Sequence, residues 1–180
     1  EKNSIIIFFG RLPLYLNKTY FDNKEGGVEF GDYNRSFISE KEDLTIENSF
    51  KNEVMNLSKN NKILLVYPFP EAGWDVPKKI LSLTKKQNKT INKYKIPENY
   101  LTTSFEVYQD RTKSTFDLLN SIKGKNIYRV FPDELFCNTL IKERCLTHDN
   151  DNIFYTDDDH PSSKAAEMIN ELIMKEIKNM

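Results

Sequence analysis

The apolar positions of this chain fall into unbroken runs and helically spaced stripes. Ile5-Ile6-Ile7-Phe8-Phe9 follows Ser4 without a polar break and is rich in β-branched residues, which predicts a central parallel strand buried on both faces and ended by Gly10-Arg11. Leu44 to Lys59 carries Ile46, Phe50, Val54 and Leu57 at helical spacing. Asn60-Asn61 stops that helix before a second strand, Lys62 to Tyr67. Pro68-Phe69-Pro70-Glu71 then forces an extended exit. Val76 to Thr84 reads as a short helix with Pro77 in its first turn, and Lys85 to Lys95 as an exposed basic stretch. Thr103 to Lys123 predicts a long amphipathic helix through Phe105, Tyr108, Thr112, Phe116, Leu119 and Ile122, with Gly124 in the C-cap position. Asn126 to Phe131 is a third strand and Ile153 to Tyr155 a short fourth. After it Ala165, Ala166, Ile169, Leu172, Ile173 and Ile177 mark a last helix.

Leu12 to Asp43 breaks this regularity. Asp22-Asn23, Gly26-Gly27 and Gly31-Asp32 are turn signals, so the stretch is a long excursion with a short hairpin around Val28 to Phe30. The order of strand, helix, strand, helix, strand, loop, strand and helix predicts a three-layer α/β/α, doubly wound parallel sheet. In such folds sites form at the C-terminal ends of the strands.

With 180 residues the chain suits one domain, and 38% hydrophobic content is ordinary for a globular protein. A net charge of -1 from 26 basic and 27 acidic residues provides no global field to attract nucleic acid or an anionic membrane. No apolar run reaches the roughly 18 residues that span a bilayer, and the start is not a signal peptide. The chain opens almost directly into a strand, which points to a piece of something longer.

Candidate chemistry gathers in Phe154-Tyr155-Thr156-Asp157-Asp158-Asp159-His160-Pro161-Ser162-Ser163, at a strand-to-helix junction. Pro161 biases His160 away from the α region, while Ser162 or Ser163 can cap the helix. A carboxylate on Asp157 can accept the imidazole Nδ1 proton and stabilise an imidazolium. An Asp-rich turn also suits a helix dipole without any catalysis, and pattern alone leaves both readings open. Trp74 is either a lid over the core or a substrate contact. His148, beside Asp149 and Asp151, is expected to be exposed and dispensable. Cys137 and Cys145 enclose seven residues, which permits a disulfide or two thiols, and neither a zinc site nor a C-x-x-C pair fits.

Taken together these blocks resemble the extracytoplasmic SGNH-type domain of membrane-bound acyltransferase-family-three proteins, the bacterial carbohydrate O-acyltransferases. The likeness covers nearly the whole chain. It is carried by Ile6 to Tyr15, Phe21-Asp22-Asn23-Lys24-Glu25-Gly26-Gly27, Tyr67-Pro68-Phe69-Pro70-Glu71, the pair Cys137 and Cys145, and Tyr155 to Ser162. The resemblance implies an SGNH hydrolase-like, flavodoxin-like fold, with Asp157 as triad acid and His160 as general base. Gly10 and Arg11 then stand where the family usually carries its oxyanion donors, with arginine in place of an amide side chain. It also implies a periplasmic domain of an inner-membrane protein, hence a Cys137–Cys145 disulfide, and no metal or organic cofactor.

The family's nucleophile is a serine in a Gly-Asp-Ser block ahead of the stretch matching residues 5 to 15, and this chain has no such block. Gly31-Asp32 is followed by Tyr33 and has no buried strand before it. The expectation is therefore a single SGNH-like domain that is either truncated at its N-terminus, the reading the abrupt start in a core strand favours, or a degenerate relative that has lost the block. Within the chain, Ser36 and Ser39 are the fallback nucleophiles. The implied activity is transfer of an acyl group, chiefly acetyl, to a sugar hydroxyl of lipopolysaccharide or a cell-wall glycan. The acyl donor would be delivered by a membrane acyltransferase domain of the same parent chain. The rivals are a carbohydrate esterase and a non-catalytic glycan-binding or assembly module.

Overall fold

A computed structural model describes residues 2–31, 33, 44–86 and 101–180. In chain order the elements are β1 (Ile5–Phe8), α1 (Leu12–Asn17), α2 (Ile46–Leu57), β2 (Lys62–Val66), α3 (Val76–Lys86) and β3 (Thr102–Ser104). They continue with α4 (Phe105–Ser121), β4 (Ile127–Val130), α5 (Asp133–Phe136), β5 (Arg144–Leu146) and α6 (Ser163–Asn179). Strands β1, β2 and β4 form a parallel sheet in that order, with Ile6 opposite Ile63 and Leu64 opposite Tyr128. Strands β3 and β5 form a separate antiparallel ribbon.

The unbroken apolar run of β2 reflects its central place, because both of its faces are covered. Ile63, Leu65 and Tyr67 pack with Val54 of α2 and with Leu119 and Ile122 at the end of α4. Leu64 and Val66 point the other way, to Val76 and Ile80 of α3 and Ala165, Ile169 and Ile173 of α6. Alternation along one strand thus divides the core into two layers and yields the α/β/α sandwich. Truncating fully buried Leu64 or Leu65 to Ala would cost about 2–5 kcal/mol. No helix among the described residues is long and apolar enough to cross a membrane.

Several expectations change. β1 is an edge strand among the described residues, with Ile6 and Phe8 turned to the core and Ile5 and Ile7 left 42% and 45% exposed. An apolar run alone does not say whether both faces are covered. Ile153 to Tyr155 forms no fourth sheet strand. Its partners are local, with single antiparallel bridges from Ile153 to His148 and from Tyr155 to Pro161, while Phe154 and Tyr155 still bury their rings. The long helix begins at Phe105, because Ser104 caps it through the Val107 amide and Thr103 is taken into β3. It is capped at Ile122, not Gly124. Pro13 opens a short helix, α1, that the irregular pattern had hidden. The hairpin near Val28 is reduced to one bridge to Asp22 and a Glu29 amide bonded to the Phe21 carbonyl. Asp32, Ser36, Ser39 and most of the basic stretch to Lys95 lie outside the described residues.

Candidate active site

The three parallel strands end at one rim, and the site is assembled from the segments that leave them there. Beyond β2 the Pro68 and Pro70 rings keep the chain extended, and two buried tyrosines hold its carbonyls. Tyr108 donates to Pro68 O at 3.0 Å and Tyr155 to Pro70 O at 2.7 Å. Burial is the main reason that both phenols are raised well above their ordinary range. The next residue, Glu71, is thereby fixed on the rim with its carboxylate buried.

Arg11, just beyond β1, reaches into the same place. Its Nε donates to Glu71 at 2.6 Å, Nη1 meets Glu29 at 3.0 Å and Asp159 at 2.8 Å, and Nη2 contacts Glu29 and Glu71. Against the cost of burial, the carboxylates of Glu29, Glu71 and Asp159 hold the guanidinium still more firmly protonated. Arg11 in turn keeps Glu29 below the ordinary carboxylate range, although burial of that acid acts the other way. All three guanidinium nitrogens are thus engaged, which makes Arg11 a bracket for three acids. Gly10 beside it is exposed, and an added Cβ there would meet nothing within 4 Å.

The Asp-His turn is bolted to this rim through its backbone. Ala72 and Gly73 donate to Asp158 O at 2.8 and 3.1 Å, and Val76 to Asp157 O at 3.0 Å. Gly73 is required there, since its φ is +74° and a Cβ would lie 2.6 Å from Gly27 O. Asp157 organises the turn. One oxygen accepts the Asp159 and His160 amides, and the other meets His160 Nδ1 at 2.9 Å. Partial burial opposes its charge, but the two amides and the imidazole hold it below the ordinary range. Ser162 caps α6 through the Ala165 amide.

His160 is raised above its usual value, first by the charge of Asp159 and then by the hydrogen bond with Asp157. Burial is the main cause that pushes Asp159 up to about 6. Beside His160 lies a cleft of about 290 Å³, lined by Phe9, Gly10, Pro13, Pro68, Phe69 and Pro161 with Arg11, Glu71 and Asp159. Asp157, His160, Gly10 and Arg11 are therefore brought to one rim. Glu29, Glu71, Arg111 and Asp159 were not singled out from sequence. Only the Tyr-Pro-Phe-Pro-Glu block and the acidic run hinted at two of them.

Of two other expectations, the one for His148 is overturned and the Cys137–Cys145 disulfide is found. His148 is fully buried, with Nε2 accepting the Leu101 amide at 3.0 Å and Nδ1 2.9 Å from Asp149 O, so its carboxylate neighbours in sequence did not make it a surface residue. Cys137 and Cys145 are joined in a disulfide, packed against Tyr108. Trp74 lines a second, wider groove with Val28, Phe30, Lys78 and Lys79. Ligand atoms of Asp157, Asp159 and His160 come within 4.8 Å of one another. Those atoms already bind each other, Arg11 and two amides, and the fixed positive charge of Arg11 opposes a cation.

A parallel sheet between helical layers, with an Asp-x-x-His turn at its C-terminal rim, defines an SGNH hydrolase-like α/β domain. The family model described as the SGNH domain fused to AT3 domains matches residues 1–175, and the chain belongs to that family. It is thus an SGNH module of the kind associated with membrane acyltransferase-3 domains. Neither the curated proteins nor the solved structures provide a match.

Proposed function

We propose that this module passes an acyl group, chiefly acetyl, to a sugar hydroxyl of a cell-surface glycan, on the periplasmic side of a bacterial inner membrane. The observation that carries the reading is the pair His160 and Asp157 on the rim of a small, largely apolar cleft. Asp157 fixes the imidazole through Nδ1, and Nε2 has no partner among the described residues. A base so held can deprotonate a serine hydroxyl and return the proton to the departing oxygen. Such a serine would attack the acyl carbonyl, and the sugar hydroxyl would then take the acyl group from it. With the Arg11 side chain occupied by three acids, backbone amides near Gly10 are the better candidates for the oxyanion.

The serine would arrive on a strand laid beside β1, whose outer edge is unpaired among the described residues and whose Ile5 and Ile7 are exposed. Membership in a family whose SGNH domain is fused to AT3 domains supports an acyl donor delivered by a membrane acyltransferase domain of the parent chain. A non-catalytic glycan-binding module is the second reading. It is favoured by the observation that no described serine hydroxyl is bonded to His160. Acyl transfer to an oligosaccharide acceptor, followed by mass spectrometry in a chain extended upstream, tests the first against the second. Retention of glycan binding with no acyl transfer, unchanged by His160→Ala, would sink the catalytic reading, and release of free acid in place of acylated sugar would identify an esterase.

A further inference from the structure

Two carboxylates meet the His160 imidazole. Nδ1 is hydrogen-bonded to Asp157 Oδ2 at 2.9 Å, and Asp159 Oδ1 lies 2.8 Å from the same nitrogen as an ion-pair contact. Their surroundings differ sharply. The Asp157 side chain is 40% exposed and that of Asp159 only 9%. The second oxygen of Asp159 is taken by Arg11 Nη1 at 2.8 Å, and Arg11 is in turn held by Glu29 and Glu71. A chain of contacts thus runs from the exits of β1 and β2 through Arg11 and Asp159 to the imidazole.

We propose that Asp159 is a second positioning residue for His160, held against the ring by Arg11, so that the histidine is tied to the β1 exit as well as to its own turn. The proposal rests on the reading of His160 as the general base. A single Nδ1 proton is already directed at Asp157, so Asp159 acts through its charge. A carboxylate this close and this well shielded from water favours the imidazolium strongly. Burial and the neighbouring charges of Asp158 and Asp157 would tend to neutralise Asp159, and Arg11 opposes that. The charged groups facing the imidazole are therefore Asp157 and Asp159 from the turn and Arg11 from the β1 exit, with Asp158 acting on Asp159. Glu71 from the β2 exit and Glu29 from the loop after α1 lie behind Arg11. Without Asp159 the ring would keep its hydrogen bond to Asp157 but lose both its anchor to the sheet and part of its basicity.

The chain has only two histidines, so ring-nitrogen NMR across a pH series resolves both, and buried His148 reports whether the fold survives. In Asp159→Asn, which keeps the shape and removes the charge, the His160 midpoint is expected to move down. Asp157→Asn should lower it as well, and the double variant further than either. An Asp159→Asn midpoint equal to that of the unsubstituted chain overturns the proposal. The unsubstituted protein provides a second measurement that needs no variant to fold. The Asp159 carboxyl carbon should show an inflection coincident with the His160 titration, and a curve without it also overturns the proposal. If both responses are seen and the upstream-extended chain still transfers no acyl group, the assignment of Asp159 stands and the proposed activity falls.

Discussion

Glu71 Oε2 accepts from Arg111 Nε at 2.7 Å, and the same carboxylate accepts from Arg11 Nε at 2.6 Å through its other oxygen. One buried acid therefore joins the β1 exit to α4. Removing it leaves two guanidinium groups facing each other with little water to screen them. Glu71→Ala is expected to lower stability by about 3–5 kcal/mol, read as a shift of the urea midpoint at unchanged slope. Glu71→Gln should fall between the two. A loss under about 1 kcal/mol for the alanine variant would show that solvent replaces the acid easily.

Catalysis is expected to need a nucleophile beyond residues 1–180. In an aryl-acetate assay this chain should be inactive, and a chain extended upstream through a serine-bearing strand should turn over. In the extended chain Asp157→Asn should lower kcat by about 10⁴-fold, because the imidazole loses its orienting carboxylate. His160→Ala should abolish the same activity. Turnover by residues 1–180 alone that is lost in His160→Ala would put the nucleophile inside the chain, with Ser36 and Ser39 the first to substitute.

The Cys137–Cys145 disulfide closes a short loop between α5 and the β3–β5 ribbon. Replacing both cysteines by serine should cost about 2.5 kcal/mol in the chain-entropy model, chiefly by freeing the unfolded chain. Thiol titration in denaturant should find no free thiol in unreduced protein and two after reduction. Two free thiols in unreduced material from an oxidising compartment would contradict the pairing.

Stability should respond to pH through His148. Burial holds its pKa below the ordinary 6.5, and its hydrogen bond and charge contact with Asp149 offset this only in part. Below about 6.5 the unfolded chain therefore binds a proton that the folded chain refuses. The contribution is fully present above that pH and lost as pH falls through the folded value. Asp159, Asp133 and His160 have raised values and opposite sign. The effect is best isolated as a difference between the unsubstituted chain and His148→Gln, which keeps an acceptor for the Leu101 amide and does not titrate. A difference in unfolding free energy that is flat between pH 7.5 and pH 5 would contradict it.

The sequence by itself determined the periodic elements, because burial on one stripe or on both faces is written in residue spacing. β2, α2, α4, β4 and α6 could be read that way, as could a serine cap of α6 at Ser162 or Ser163, whereas the Ser104 cap of α4 was hidden inside the run read as helix. It also supplied the Asp157-x-x-His160 pair, whose chemistry is local to four residues and one proline. Tertiary structure alone decided that β1 lies at an edge among the described residues, since Ile5 to Phe9 has the composition of a buried strand whether or not a neighbour covers it. It decided that Phe154 and Tyr155 pack into the core without joining the sheet, because pairing depends on what lies alongside. Only folding brought Arg11, Glu29, Glu71, Arg111 and Asp159 together. Their separations along the chain reach 148 residues between Arg11 and Asp159, and charge pairing over such distances leaves no period to read. His148 makes the same point from the other side. Beside two acids it reads as a surface residue, yet the amide of Leu101 gives it a buried partner.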